Sequence, residues 1–189
     1  MKTRFPRAAA LAVAKELCEA LKPVTVRLIV AGSLRRRKAE VGDVEILFVP
    51  IVASYKTGLF LEDRQAVSLA DECLAGMVRA GILARRKNVN GSEMWGAQNK
   101  LALHVASGIP VDLFAATEEN WFNYLVCRTG PGESNIRLAS AAQAMGWKWN
   151  PYGVGFSRAS GLGCDTRAMG SEREVFEFVG LPCREPWER

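Results

Sequence analysis

The chain has 189 residues, 49% of them hydrophobic, which is enough for a packed interior and excludes wholesale disorder. It holds no apolar run of about 18 residues, so no membrane span is expected, and one histidine with five scattered cysteines excludes a zinc site and suits free thiols in a reducing compartment. Lys and Arg outnumber Asp and Glu by 25 to 20, a net charge of +5 that favours polyanionic partners.

In chain order, apolar residues at helical spacing (Leu11, Ala14, Leu17, Cys18, Leu21) predict a helix over residues 8–21, ended by Pro23. The run from Val24 to Ala31 reads as a buried strand, broken by Gly32-Ser33. A short basic turn follows, then a second strand from Asp43 to Val49. Residues 64–80 read as an amphipathic helix stopped by Gly81. Strands are expected at 82–87 and 100–106, around a polar loop, and at 111–115. Helices are expected at 118–126 and 133–145, then a strand and turn from Trp147 to Phe156. The Gly- and Ser-rich stretch 157–170 reads as a loop. Ser171-Glu172-Arg173-Glu174 has the form of a capping box in front of an apolar helix.

The chemistry begins with three acids. Asp43 and Glu45 are two apart in a strand, so both side chains point to one face, while Val44, Ile46 and Phe48 point to the other. Two adjacent carboxylates repel unless a cation separates them. A hard divalent ion such as Mg²⁺ prefers carboxylate oxygen. Asp112 lies in another apolar strand. If the two strands are neighbours, the three acids converge as a two-metal phosphoryl-transfer site needs.

Ahead of the acids, Gly32-Ser33-Leu34-Arg35-Arg36 follows a strand directly. Glycine permits a sharp turn and close approach of backbone to ligand. Ser33 offers a hydroxyl and an N–H to an anion, and Arg36 a fork for phosphate. Ten residues after Ser33 comes Asp43, preceded by Gly42. The basic clusters 35–38 and 85–87 are the places that favour a polyanion, and 85–87 reads equally well as a solvated strand end. Arg85, Arg86, Lys87 and Lys100 are candidates for the phosphates of such a polyanion. Trp95, in a polar loop, is a candidate for stacking on a base. Trp121, Trp147, Trp149 and His104 read as packing residues.

The pattern Gly32-Ser33, Gly42-Asp43-Val44-Glu45 and a later Asp112 resembles the nucleotidyltransferase superfamily. Within it the chain is similar to DNA polymerase family X. Arg128-Thr129-Gly130-Pro131 resembles that family's Thr-Gly turn, and Gly146 to Tyr152 its thumb hairpin. Ser171 to Arg189 resembles its C-terminus. The resemblance implies an α+β protein with two parts. Residues 1–117 would be a catalytic palm, a mixed β-sheet with flanking helices. Residues 118–189 would be a small, mainly helical nucleotide-selecting domain with a β-hairpin. It implies a minimal core without lyase or exonuclease modules.

The same resemblance implies a monomeric intracellular DNA polymerase that fills short gaps in repair, taking dNTP and gapped or primer-template DNA. Its cofactor would be two Mg²⁺ ions, with Mn²⁺ as a substitute. Asp43, Glu45 and Asp112 would hold the metals. Ser33, Arg36 and Arg4, with Gly32 and Gly42, would form the triphosphate site. Thr129 and Gly130 would lie along the nucleotide, and Asn135 would read its minor-groove edge. Tyr152 and Arg137 would face the template. The chain departs from the family at Glu45, where many members have Asp, and at Cys127-Arg128, where relatives carry an aromatic pair. It departs again at Ala139, in place of an arginine, and at Pro110, where a basic residue precedes the third acid. Competing expectations are a template-independent terminal transferase and an inactive nucleic-acid-binding module.

Overall fold

The computed structural model describes residues 3–57, 63–161 and 163–189. The basic start at Met1-Lys2 lies outside them. The chain is mixed α+β and forms two compact units. The first contains residues 1–30 and 40–115, the second residues 31–39 and 116–189. The segment 31–39, expected in the palm, thus groups with the C-terminal part of the chain.

The first unit is built on a five-stranded sheet. Its strands are β2 (Thr25–Val30), β4 (Val44–Pro50), β9 (Ile109–Ala115), β8 (Asn99–His104) and β7 (Leu83–Arg85), in that spatial order. All neighbours are antiparallel except β4 and β9, which run parallel. Helix α1 (Arg7–Leu21) packs on β2 and β4 through Ala10, Val13, Ala14, Leu17 and Leu21. Helix α3 (Leu69–Arg79) packs beside β7 through Ala70, Leu74 and Met77. Two short strands, β1 (Phe5–Pro6) and β3 (Glu40–Val41), pair with each other.

Two features of this unit differ from the sequence expectation. Residues 63–68 are not the first turns of a helix. They form β6 (Asp63–Ser68), paired antiparallel with β5 (Val52–Thr57). Helix α3 starts only after Ser68, whose hydroxyl accepts from the Asp71 N–H at 3.2 Å, an N-cap that satisfies one of the orphan donors. Beyond Ile46, strand β4 is also buried on both faces: Leu47, Phe48 and Val49 are all enclosed. The alternation read from Asp43 to Phe48 therefore describes only the start of the strand.

The second unit contains helices α2 (Gly32–Arg35), α4 (Trp121–Thr129), α5 (Gly132–Ala144) and α6 (Glu172–Glu177). With them is an antiparallel sheet of β10 (Lys148–Asn150), β11 (Gly155–Ser160) and β12 (Gly163–Arg167). Its core is Val126, Leu138, Ala142, Phe156, Met169, Val175, Phe176 and Val179, with Trp147 and Trp149 packed against it. The stretch expected to be a loop from 157 to 170 supplies most of β11 and β12. The unit accordingly has more strand than expected. Ser171 caps α6 by accepting from the Glu174 N–H at 3.1 Å. The Glu174 carboxylate in turn accepts from the Gly170 N–H at 2.8 Å.

Candidate functional site

The acids of the first unit are positioned by strand register. Glu45 on β4 is the cross-strand partner of Asp112 on β9, and Asp112 is the partner of Leu101 on β8. Register partners share a face. The adjacent row, Ile46, Leu113 and Lys100, is buried on the opposite face. There the Lys100 ammonium meets Asp71 of α3 at 2.8 Å, and His104 meets Glu16 of α1 at 3.3 Å. The Glu45–Asp112 row therefore lies on the face away from α1 and α3. Asp43 precedes β4 by one residue and is half-buried, as is Glu45.

Asp112 is held by a cation from the chain itself. Arg86 Nη2 lies 2.5 Å from Asp112 Oδ1, and Arg86 Nε donates to the Ala102 carbonyl at 3.4 Å. This is a departure from the expected phosphate contact for Arg86. Lys100 departs further. It is 3% exposed, and its ammonium is taken by Asp71 and by the Gly96 carbonyl at 2.8 Å, so it offers no charge to DNA. Arg85 is exposed at the end of β7, 3.9 Å from Glu93 and stacked 5.0 Å over Trp95. Arg4 is exposed just ahead of β1, and Gly42 is buried.

The donor chemistry of Asp43, Glu45 and Asp112 fits a hard divalent cation, since all three offer carboxylate oxygen and two are register neighbours. Among the described residues, however, no three acidic, His or Cys side chains gather closely enough to form a metal group. The carboxylate of Asp112 instead faces the Arg86 guanidinium.

In the second unit, the turn at Gly32 to Arg36 is tied to the end of α4. Gly32 has φ of 61°, and Arg35 and Arg36 donate backbone N–H groups to the Ala31 and Gly32 carbonyls, both at 3.2 Å. Ser33 is half-buried. Arg35 Nη1 donates to the Thr129 hydroxyl at 2.6 Å. Its guanidinium also grips Glu172 with two bonds of 2.9 and 2.5 Å. Arg189, with its side chain only 3% exposed, reaches the same carboxylate at 3.1 Å. Burial would raise the Glu172 carboxyl, but the hydrogen bonds and charges of Arg35 and Arg189 outweigh it and hold it below its ordinary value.

Arg36 donates to the Thr129 carbonyl. Thr129 is fully buried, and both its oxygens are occupied by the two arginines. It therefore acts as an anchor for the turn, in place of the expected nucleotide contact. Gly130 follows with φ of 61° and ψ of −152°, a conformation open to glycine. A Cβ there would stand 3.2 Å from Arg36 Nη1. The Gly130–Pro131 peptide is cis.

Asn135 Nδ2 donates to the Cys127 carbonyl at 2.8 Å. Arg137 is exposed on α5, beside a cavity also lined by Ser134, Phe176, Leu181 and Arg184. Tyr152 packs edge-on against Tyr124 with centroids 5.1 Å apart, and its hydroxyl accepts from Arg128 at 3.3 Å. Sequence reasoning singled out neither Arg35 nor Glu172 as a working pair. The Arg35-Arg36 doublet and the capping box at Ser171 were legible, but not that they meet.

Residues 124–189 match the family model of the DNA polymerase beta thumb. The thumb-like segment thus includes Thr129, Gly130, Asn135, Arg137, Tyr152 and Glu172. The three acids and the Gly32–Arg36 turn lie outside the matched residues. No curated protein matches the chain. Among the described residues, no helix is long and apolar enough to cross a membrane.

Proposed function

We propose that the protein is a DNA-directed DNA polymerase of the family X type, adding dNMP from dNTP to a primer 3′-hydroxyl, as in filling short gaps during repair. The observation that carries this reading is the match of residues 124–189 to the polymerase beta thumb. The in-register pair of carboxylates at Glu45 and Asp112 supports it.

In this reading Asp43, Glu45 and Asp112 hold two Mg²⁺ ions, or Mn²⁺ in their place. These would neutralise phosphate charge and acidify the primer hydroxyl. Asp112 lies beside the primer 3′-oxygen and orients it for attack on the α-phosphorus, with pyrophosphate leaving. Ser33, Arg36 and Arg4 bind the triphosphate oxygens, and the glycines at 32 and 42 let the backbone approach them. Donors fixed before the reaction stabilise the developing charge without reorganising, which is why such groups sit on short, well-anchored turns. The anchoring of Arg36 to Thr129, and of Arg35 to Glu172, suits that role. Gly130 lies against the nucleotide, Asn135 reads its minor-groove edge, and Tyr152 and Arg137 face the template. The exposed Arg85 and the half-buried Trp95 stacked against it remain candidates for the DNA backbone and a base.

The test is extension of a labelled primer across a one-nucleotide gap, with each dNTP supplied singly and a template-free primer run in parallel. Extension by the template-matched nucleotide alone supports the reading. Equal extension of the template-free primer would make the protein a terminal transferase. Binding of DNA without extension in Mg²⁺ or Mn²⁺ would leave a nucleic-acid-binding module.

A further inference from the structure

Arg86, paired with Asp112, takes no part in the proposed reaction as set out above. It follows β7, and its backbone N–H donates to the Leu101 carbonyl of β8 at 2.9 Å. Its side chain then crosses β8 to reach Asp112 on β9, the next strand over. The side chains of Arg86 and Asp112 are 32% and 20% exposed, so the pair is partly withdrawn from solvent. A charge-assisted bond of 2.5 Å in such a setting is less screened by solvent and salt than a surface ion pair. The row Glu45, Asp112, Leu101 thus ends in a fixed positive charge on the same sheet. Among the described residues no metal-holding group of three is assembled, and one of the three acids is turned to a guanidinium.

We infer that Arg86 is a positioning residue that serves as the internal counter-cation of Asp112 and sets the affinity of the acidic site for divalent metal. This rests on the two-metal reading of Asp43, Glu45 and Asp112. A cation entering at Asp112 competes with the guanidinium for the carboxylate, so the site loads metal less tightly than three acids alone would. In the meantime the guanidinium keeps Asp112 in place and balances its charge beside Glu45. The arginine comes from a strand end distant in sequence, while the position directly before Val111 and Asp112 is Pro110, which carries no charge.

The test is direct titration of the full chain with Mn²⁺ in the absence of DNA and nucleotide, following free Mn²⁺ by its paramagnetic resonance signal. Wild type is compared with Arg86→Gln, Arg86→Lys and Asp112→Asn, and Arg86→Gln is combined with Asp112→Asn. Removal of the guanidinium tightens Mn²⁺ binding about tenfold, the scale of one charge-assisted hydrogen bond. Arg86→Lys keeps the charge and stays near wild type. In the Asp112→Asn background the effect of Arg86→Gln disappears. Arg86→Met, which preserves the apolar stem, gives a second reading independent of the amide. Unchanged or weaker Mn²⁺ binding in both Arg86→Gln and Arg86→Met, with binding in wild type intact, overturns the inference alone. Absence of Mn²⁺ binding in wild type and every variant overturns the two-metal reading and the inference with it.

Discussion

Arg35 and Glu172, 137 residues apart, meet through two hydrogen bonds of 2.9 and 2.5 Å. Both side chains are 17% exposed, and Arg189 closes the carboxylate from another direction. The pair ties the basic turn at residues 31–39 to helix α6 within the second unit. Removing one partner leaves arginines with an uncompensated, largely enclosed charge, which costs far more than losing a surface ion pair. Glu172→Ala should therefore destabilise the protein by about 3 kcal/mol, read as a lowered urea midpoint.

The same carboxylate gives a pH dependence with a definite sign. Its folded pKa lies below the unfolded value, so its contribution is present above the ordinary Glu range of about 4.3 and is lost as the pH falls through the folded value. Wild type should lose stability more steeply than Glu172→Gln between neutrality and strongly acid pH, with the difference arising below about pH 4.3. Parallel acid-unfolding curves for the two proteins would refute the assignment.

Gly155 provides a packing test. Its φ is 102°, and a Cβ would stand 2.4 Å from Asn123 Nδ2 and 3.0 Å from the Arg167 carbonyl. Asn123 is fully buried and accepts from the Trp149 indole at 3.0 Å, so it has nowhere to retreat. Gly155→Ala should cost about 2–4 kcal/mol through backbone strain and overpacking together. Thermal unfolding of the variant reads this as a drop of many degrees.

Two basic residues of neighbouring strands should separate stability from nucleic-acid binding. Lys100→Met removes the cation facing Asp71 and should lower the melting temperature. Arg85→Ala, at an exposed strand end, should change stability by less than about 0.5 kcal/mol. It should instead reduce the salt dependence of DNA affinity by about one unit of slope. A stability loss at Arg85 with none at Lys100 would reverse both assignments.

Much of this fold was open to reading from the residues. The spacing of Leu17 and Leu21 in α1 and the Ser171 N-cap of α6 each rest on local physics that tertiary contacts did not override, although the box expected at Ser171 forms only by half, since the Glu174 carboxylate takes the Gly170 N–H and not that of Ser171. The alternation around Asp43 and Glu45 held at the start of β4, where a buried residue follows each acid. The β5–β6 hairpin was missed because Ala66 continues the apolar spacing of α3 backwards, and only the Ser68 cap marks the break. The β11–β12 hairpin was missed because a Gly- and Ser-rich composition imitates a loop. Lys100 was legible in hindsight. It alternates with Leu101 and shares its face with Ala102 and His104, both buried, which places its stem on the inner side of β8. The pairs Arg35–Glu172 and Arg86–Asp112 were not legible. An ion pair between distant segments leaves no periodic trace in the chain.

The central claim is metal-dependent nucleotidyl transfer by the acidic trio. The most direct measurement is the single-turnover rate of one-nucleotide gap filling in Mg²⁺ for wild type, Asp43→Ala and Asp112→Asn, each shown to be folded by its melting curve. The account predicts matched extension by wild type and a loss of about 10³-fold or more in each variant, with DNA binding retained. Extension by Asp43→Ala at the wild-type rate, or none by wild type in Mg²⁺ or Mn²⁺, would contradict it.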